Sequence, residues 1–65
     1  MTSMILSAIK LSDKLLHFTE VVEHVTGISA YDVTDPSVSE AANVIRRLCM
    51  DRIIEIDYAG MLKTV

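Results

Sequence analysis

Four residues late in the chain have side chains suited to contacting a nucleic acid. Arg46 and Arg47 are adjacent, Asn43 precedes them by one helical turn, and Arg52 follows. An Arg guanidinium can form two hydrogen bonds to guanine, and an Asn amide can form two to adenine. Both side chains also bind phosphate oxygens. Ser39 lies one further turn back on the same predicted helix face. These five residues, on the predicted helix and directly after it, are therefore the predicted contact set.

A solvated helix face is the alternative explanation. In that case Arg47 pairs with Asp51, four residues later, as neighbours on a helix surface do. There is no Lys or Arg between Leu15 and Ile45, so the chain offers few other cations. That scarcity favours a contact role for the arginines. Lys63 and Tyr58, on a predicted hairpin, are expected to touch a nucleic-acid backbone as well.

The histidines and the cysteine receive structural explanations. His17 and His24 would lie about 10 Å apart along a continuous helix, too far to share a metal ion. Asp13 and Glu20 precede them by four residues, which predicts two surface ion pairs. Cys49 falls on a predicted apolar face and is expected to be a buried thiol. No metal and no cofactor is expected.

Length and composition exclude several classes of protein. Sixty-five residues allow one domain, residues 1–65, with too little chain to wall an ordinary substrate pocket. A Gly-rich phosphate loop and a nucleophile motif are both missing, so neither enzymatic activity nor a small-molecule substrate is expected. A single cysteine excludes an internal disulfide, and no apolar run is long enough to span a membrane. A cytoplasmic location is the expectation.

The first segment, residues 3–26, has helical periodicity. One continuous helix would be long for this domain, and breaks are plausible at Ser12 or Thr19, so one helix or two remain open. Gly27 supplies a C-terminal stop, because glycine takes the left-handed conformation without cost. Ile5, Ile9 and Leu16 widen the apolar stripe. The stripe itself comprises Met4, Ala8, Leu11, Leu15, Phe18, Val22 and Val25.

The middle of the chain is broken by turn and cap signals. Ser29 with Asp32 matches a short capping box, which predicts one helical turn over Ala30–Val33. A longer helix follows, and it has two overlapping start signals. Asp35 can cap with Pro36 at the first helical position, or Ser37 can cap with Glu40 reaching back.

This second long helix is predicted to run to about Asp51. Its pattern of apolar residues separates a buried face from an outer face. The predicted buried face comprises Val38, Ala41, Ala42, Ile45, Leu48 and Cys49. The predicted outer face comprises Ser39, Asn43, Arg46, Arg47 and Met50.

The tail changes to β-type alternation. Ile53–Asp57 and Met61–Val65 are predicted strands, with Ile54 and Ile56 on one face. The segment 58–60 between them ends in the glycine that a tight hairpin needs. The fold class is therefore mainly α with a C-terminal two-stranded β-hairpin, and the hairpin must pack on the helices to be stable.

Helices followed by a short hairpin resemble the order of a winged helix-turn-helix domain. The segment FTEVVEHVTGIS is similar to the second helix and turn of that superfamily, with Val22, Val25, Gly27 and Ile28 at its apolar and turn positions. The segment PSVSEAANVIRRLCMDRIIEID is similar to its recognition helix running into the first strand of the wing. The resemblance implies a DNA-binding transcription regulator whose recognition helix enters the major groove.

A second resemblance is to the helix-turn-helix of bacterial replication initiators, through VVEHVTGISAYDV; the later signature of that family is absent. The chain departs from both families in two ways. Pro36 lengthens the linker between the two helices. The start of the recognition helix carries Glu40 and no base, and phosphate repels an acid there, although Glu can accept a hydrogen bond from cytosine.

The N-terminal stripe also predicts a homodimer. Its seam is expected to contain Met4, Ile5, Ala8 and Ile9, because oligomers relieve the marginal stability of small domains. Two functions from different classes stay open. One is a dimeric DNA-binding regulator. The other is an acidic protein-binding module of the phage or accessory-inhibitor type, which the net charge of −3 favours.

Overall fold

A computed structural model describes all 65 residues and contains three helices and a three-stranded antiparallel sheet. The strands lie in the order β1-β3-β2, so the last strand is central. The sheet has one strand more than the predicted hairpin. The elements in chain order are α1 (Thr2–Leu11), β1 (Leu16–His17), α2 (Phe18–Thr26), α3 (Pro36–Met50), β2 (Ile54–Ile56) and β3 (Met61–Thr64).

The first helical segment breaks at Ser12, one of the two predicted positions. The Ser12 backbone is extended, at φ −74° and ψ 131°, and its hydroxyl accepts a hydrogen bond from the Lys14 amide at 3.3 Å. Serine side chains offer the backbone this local alternative to a helix. Helix resumes at Phe18 with His17 as its cap, so the observed cap lies two residues before Thr19, the other predicted position.

This break makes the predicted apolar stripe wrong, because the stripe assumed one continuous helical phase. Met4 and Leu11 are 55% and 85% exposed, whereas Ile5 and Ile9 are buried in the core. Of the seven stripe residues only Val22 is fully buried. Ile5 and Ile9 are therefore not available to a partner chain, and the predicted dimer seam reduces to Met4 and Ala8.

Helix α2 is held at both ends by its own sequence. The Nδ1 atom of His17 accepts a hydrogen bond from the Thr19 amide at 3.2 Å, and the Glu20 carboxylate accepts one from the His17 amide at 3.0 Å. This reciprocal pair is a capping box in which a histidine replaces the usual hydroxyl residue. At the other end, Gly27 has φ +70° and stops the helix, as predicted.

The linker between α2 and α3, residues 27–35, contains turns in place of the predicted helical turn. The Ser29 hydroxyl accepts from the Tyr31 amide at 3.3 Å, and the Asp32 carboxylate accepts from the Thr34 amide at 3.3 Å. These two-residue side-chain turns compete with helix formation. The helix predicted over Ala30–Val33 is therefore absent.

Helix α3 starts by the first of its two predicted signals. Asp35 is the cap, Pro36 occupies the first turn, and the Asp35 carboxylate accepts from the Ser37 amide at 2.8 Å. The predicted buried face is confirmed at Val38, Ala41, Ile45 and Leu48. Two of its members differ: Cys49 is half-buried, and Ala42 is exposed because it lies past the edge of the core.

The C-terminal hairpin has the predicted position and turn. Strands β2 and β3 pair in the register Ile54↔Thr64, Glu55↔Lys63 and Ile56↔Leu62. Gly60 has φ +86°, which a side-chain-bearing residue rarely adopts. Ile54 is buried and Ile56 is 46% exposed, so the hairpin extends beyond the core at its tip.

The third strand, β1, attaches the hairpin to the helices. Leu16 pairs with Leu62 and His17 with Met61. Ten buried apolar residues then form a single core cluster to which all three helices and both hairpin strands contribute. They are Ile5, Ile9, Val21, Val22, Val38, Ala41, Ile45, Leu48, Ile54 and Leu62.

The start of α2 and the turn of the hairpin are in direct contact. The Phe18 amide donates to the Gly60 carbonyl at 2.9 Å. The His17 ring lies over Gly60 so closely that a Cβ there would clash with Nε2 of the ring. Gly60 is therefore needed twice, once for its positive φ and once to make room for the capping histidine.

The contact predicts that Gly60 and His17 are energetically coupled. Gly60→Ala should lower the free energy of unfolding by about 1–3 kcal/mol, through backbone strain and the clash with the ring. His17→Ala should cost about 1 kcal/mol through loss of the cap. In the double variant the clash is gone. The loss measured for the double variant should therefore be smaller, by at least about 0.5 kcal/mol, than the sum of the losses of the two single variants. Urea denaturation of the four proteins measures this, and strictly additive losses would contradict the contact.

Candidate nucleic-acid interface

The exposed face of α3 is the main candidate interface. The buried residues of α3 occupy one side of the helix, so the opposite side must face solvent. All five predicted outer-face residues are exposed. Four of the six predicted contact residues line one open depression on this face: Ser39, Asn43, Arg46 and Arg47.

Two acids share the depression with the arginines. Glu40 lies near its N-terminal end and Asp51 near its C-terminal end, so the formal charges of the lining residues cancel. The two ends differ in character. The N-terminal half of α3 presents Ser39 and Glu40, and the C-terminal half presents both guanidinium groups. A polyanion would therefore contact the C-terminal half first.

Neither arginine is held in an ion pair. The molecule has a single salt bridge, between Lys63 Nζ and Glu55 Oε2 at 3.5 Å. The pairing of Arg47 with Asp51, which would have explained this face as a solvated surface, is not formed. Asn43 Oδ1 accepts a long hydrogen bond of 3.4 Å from Arg46 Nη2, so the amide and the guanidinium are neighbours on this face. Both guanidinium groups thus keep donors free for a ligand.

The other two predicted contact residues lie elsewhere. Lys63, on β3, is the cross-strand neighbour of Glu55, with which it forms the salt bridge. It also lines a second depression with Lys10 and Lys14. No sequence signal marks these two lysines, because their approach to Lys63 depends on α1 packing against β3. Positive charge is therefore divided between two surfaces. Arg52 lines neither depression.

Arg52 occupies a strained position directly after α3. Its φ is +59°, the only positive φ outside glycine in the chain. Its amide donates to the Cys49 carbonyl at 3.1 Å, and the Ile53 amide donates to the Leu48 carbonyl at 3.0 Å. These two bonds form a Schellman motif, whose left-handed position is normally glycine. The chain carries a cationic side chain where glycine would be more stable.

The histidines and the cysteine differ from their predicted roles. Neither histidine is in an ion pair. The Glu20 carboxylate accepts a hydrogen bond from the His17 amide, and the His17 ring caps α2. The His17 ring lies beside Phe18, with centroids 4.5 Å apart. Cys49 is half-buried, and burial raises the pKa of its thiol, which makes it a poor nucleophile at neutral pH. No cluster of three or more metal-ligating side chains is present.

Comparison of the chain with protein-family models, curated proteins and solved structures finds no match. None of the three helices has both the length and the apolar content needed to cross a membrane.

The strained backbone at Arg52 gives a prediction about the stability of the fold. Arg52→Gly should raise the free energy of unfolding by about 1 kcal/mol, because glycine has no Cβ penalty at positive φ. For a domain of this size that corresponds to a rise of about 4–8 °C in Tm. Arg52→Ala is the control and should change Tm much less. A lower Tm for the glycine variant would contradict the Schellman geometry.

Proposed function

We propose that this protein is a small DNA-binding regulator of the winged helix-turn-helix type, and that α3 is its recognition helix. The observation that carries the proposal is the outward face of α3, where Arg46 and Arg47 are exposed, unpaired and adjacent to Asn43. Arg and Asn are the residue types that read guanine and adenine in the major groove.

The order of the elements supports the same proposal. Helix α2, a connecting segment and α3 are followed directly by the β2–β3 hairpin, in the position of a wing. The connecting segment 27–35 is longer than the three or four residues usual in a helix-turn-helix. Its turns and the Asp35 cap nevertheless define where α3 begins. The exposed tip of the hairpin, with Tyr58 at its end, is free to approach a backbone beside the groove.

The charge distribution indicates how tightly such a surface binds. Glu40 and Asp51 offset the two arginines, and the whole chain carries −3. Non-specific affinity for DNA rises with the number of phosphates that cations neutralise. We therefore expect weak binding to random DNA, with most of the affinity for a preferred site coming from base contacts at Asn43, Arg46 and Arg47.

A second candidate function follows from the same charges. The formal charges on the α3 face cancel. If that prevents DNA binding, the same surface suits a protein partner, with which both the acids and the arginines would form ion pairs. The net negative charge favours a partner with a basic contact surface. The two candidates differ in salt dependence, because only phosphate contacts make binding fall steeply with salt.

The prediction concerns the double variant Arg46→Ala/Arg47→Ala. It should lose about tenfold or more in affinity for a preferred duplex, since one good bidentate base contact is worth about 1–3 kcal/mol. Fluorescence anisotropy at several salt concentrations measures the loss. If the arginines touch only phosphates, the salt slope should instead fall by about one unit for each lost charge.

The matched control compares single variants: Arg46→Ala or Arg47→Ala against Lys14→Ala, which removes one charge from the other surface. Lys14→Ala should retain most of the affinity of the wild type. Equal losses at Lys14 and at either arginine would mean that only net charge matters, which contradicts a recognition role for α3. Absence of DNA binding by the wild type at low salt would eliminate the regulator and leave the protein-binding module.

A further inference from the structure

An open apolar groove lies between α1 and α2, away from the α3 face. It has a volume of about 670 Å³. Met4 and Leu11 are its most exposed apolar residues, at 55% and 85%. The residues that line it are Ser3, Met4, Ser7, Ala8, Leu11, Ser12, Leu16, Glu20 and His24.

We propose that this groove is the interface of a homodimer, in which α1 of a second copy lies parallel to α1 of the first. Ser3, Ser7 and Ala8 line the groove from α1. Side chains this small allow a second helix to approach closely, because the distance between helix axes depends on side-chain size at the contact. Met4 and Leu11, one heptad apart, then lie against their equivalents in the other copy.

A second copy fits this groove by its charges. Helix α1 contains no acid, and its one base, Lys10, lies on the flank turned away from the groove, in the depression shared with Lys63. The α2 wall of the groove contributes Glu20. When two α1 helices lie parallel about a two-fold axis, the Lys10 flank of each copy faces the α2 wall of the other. Lys10 is then brought toward Glu20 in both halves of the interface.

The opposite orientation is unfavourable. With the α1 helices antiparallel, the α2 walls of the two copies face each other, and the Glu20 side chains come together without a base between them. The Lys10 flanks likewise meet on the other side. Like charges opposed across an interface disfavour that arrangement. The charges therefore select the parallel pair.

The small core explains why a dimer interface at this groove would stabilise the protein. Only 11 of the 65 residues are buried, and Met4 and Leu11 leave exposed apolar side chains in the groove. Apolar patches of this kind mark interfaces more often than free surface. In a two-fold pair the same patch is covered on both copies at once. The proposal does not depend on what α3 binds, because the two faces share no residues.

Sedimentation equilibrium tests the seam. The wild type should be a dimer in the micromolar range, and Leu11→Glu and Met4→Glu should each raise the dissociation constant by about tenfold or more, because a carboxylate would enter an apolar contact. Val33→Glu is the matched control, since Val33 is 79% exposed but lies in the linker. It should leave the dimer unchanged. All variants should keep the circular dichroism spectrum of the wild type, because the changed positions are exposed.

Disulfide cross-linking tests the orientation. In a Cys49→Ala background whose dimerisation has been checked, Met4→Cys and Leu11→Cys should each cross-link to themselves under mild oxidation. An antiparallel pair would instead give cross-links only when the two variants are mixed. A monomeric wild type at all concentrations, a dimer indifferent to changes at Met4 and Leu11, or exclusively mixed cross-links would each overturn the proposal.

Discussion

Strand β3 joins the first and the last parts of the chain within one sheet. It is the central strand, bonded to β1 on one side and to β2 on the other. The register Leu16↔Leu62 joins the strand to the α1–α2 half of the chain, and the register Ile54↔Thr64 joins it to the segment that follows α3. The bond between the Phe18 amide and the Gly60 carbonyl continues this ladder into α2. Strand β3 thereby holds the hairpin against α1 and the start of α2, while α3 packs directly against α1 and α2.

The parts of this fold with strong local signals were predictable. Asp35 followed by Pro36 marks the start of α3, Gly60 marks the hairpin turn, and the change of period after Asp51 marks the strands. The break at Ser12 has only a weak local signal, and it shifts the buried face of α1 to Ile5 and Ile9. Strand β1 is too short to have a period, and it exists because β3 offers a free edge for it.

The candidate interface was predictable only in part. Burial of one side of α3 follows from helical periodicity, so the outward position of Asn43, Arg46 and Arg47 could be read from the chain. The positions of Lys63 and Arg52 could not, since they depend on tertiary packing and on the turn after α3. Lys63 joins Lys10 and Lys14 because β3 packs against α1. The left-handed backbone at Arg52 is imposed by the turn from α3 into β2, although the residue itself is not glycine.

We propose that the outward face of α3 is the binding surface and that it binds DNA. Backbone amide spectra of the labelled protein, recorded during titration with short duplexes of mixed sequence at low salt, test it most directly. If α3 binds DNA, shift changes should concentrate at Ser39, Asn43, Arg46 and Arg47, with smaller changes at the tip of the hairpin near Tyr58. Changes concentrated at Lys10, Lys14 and Lys63, or a spectrum that does not change at all, would contradict it.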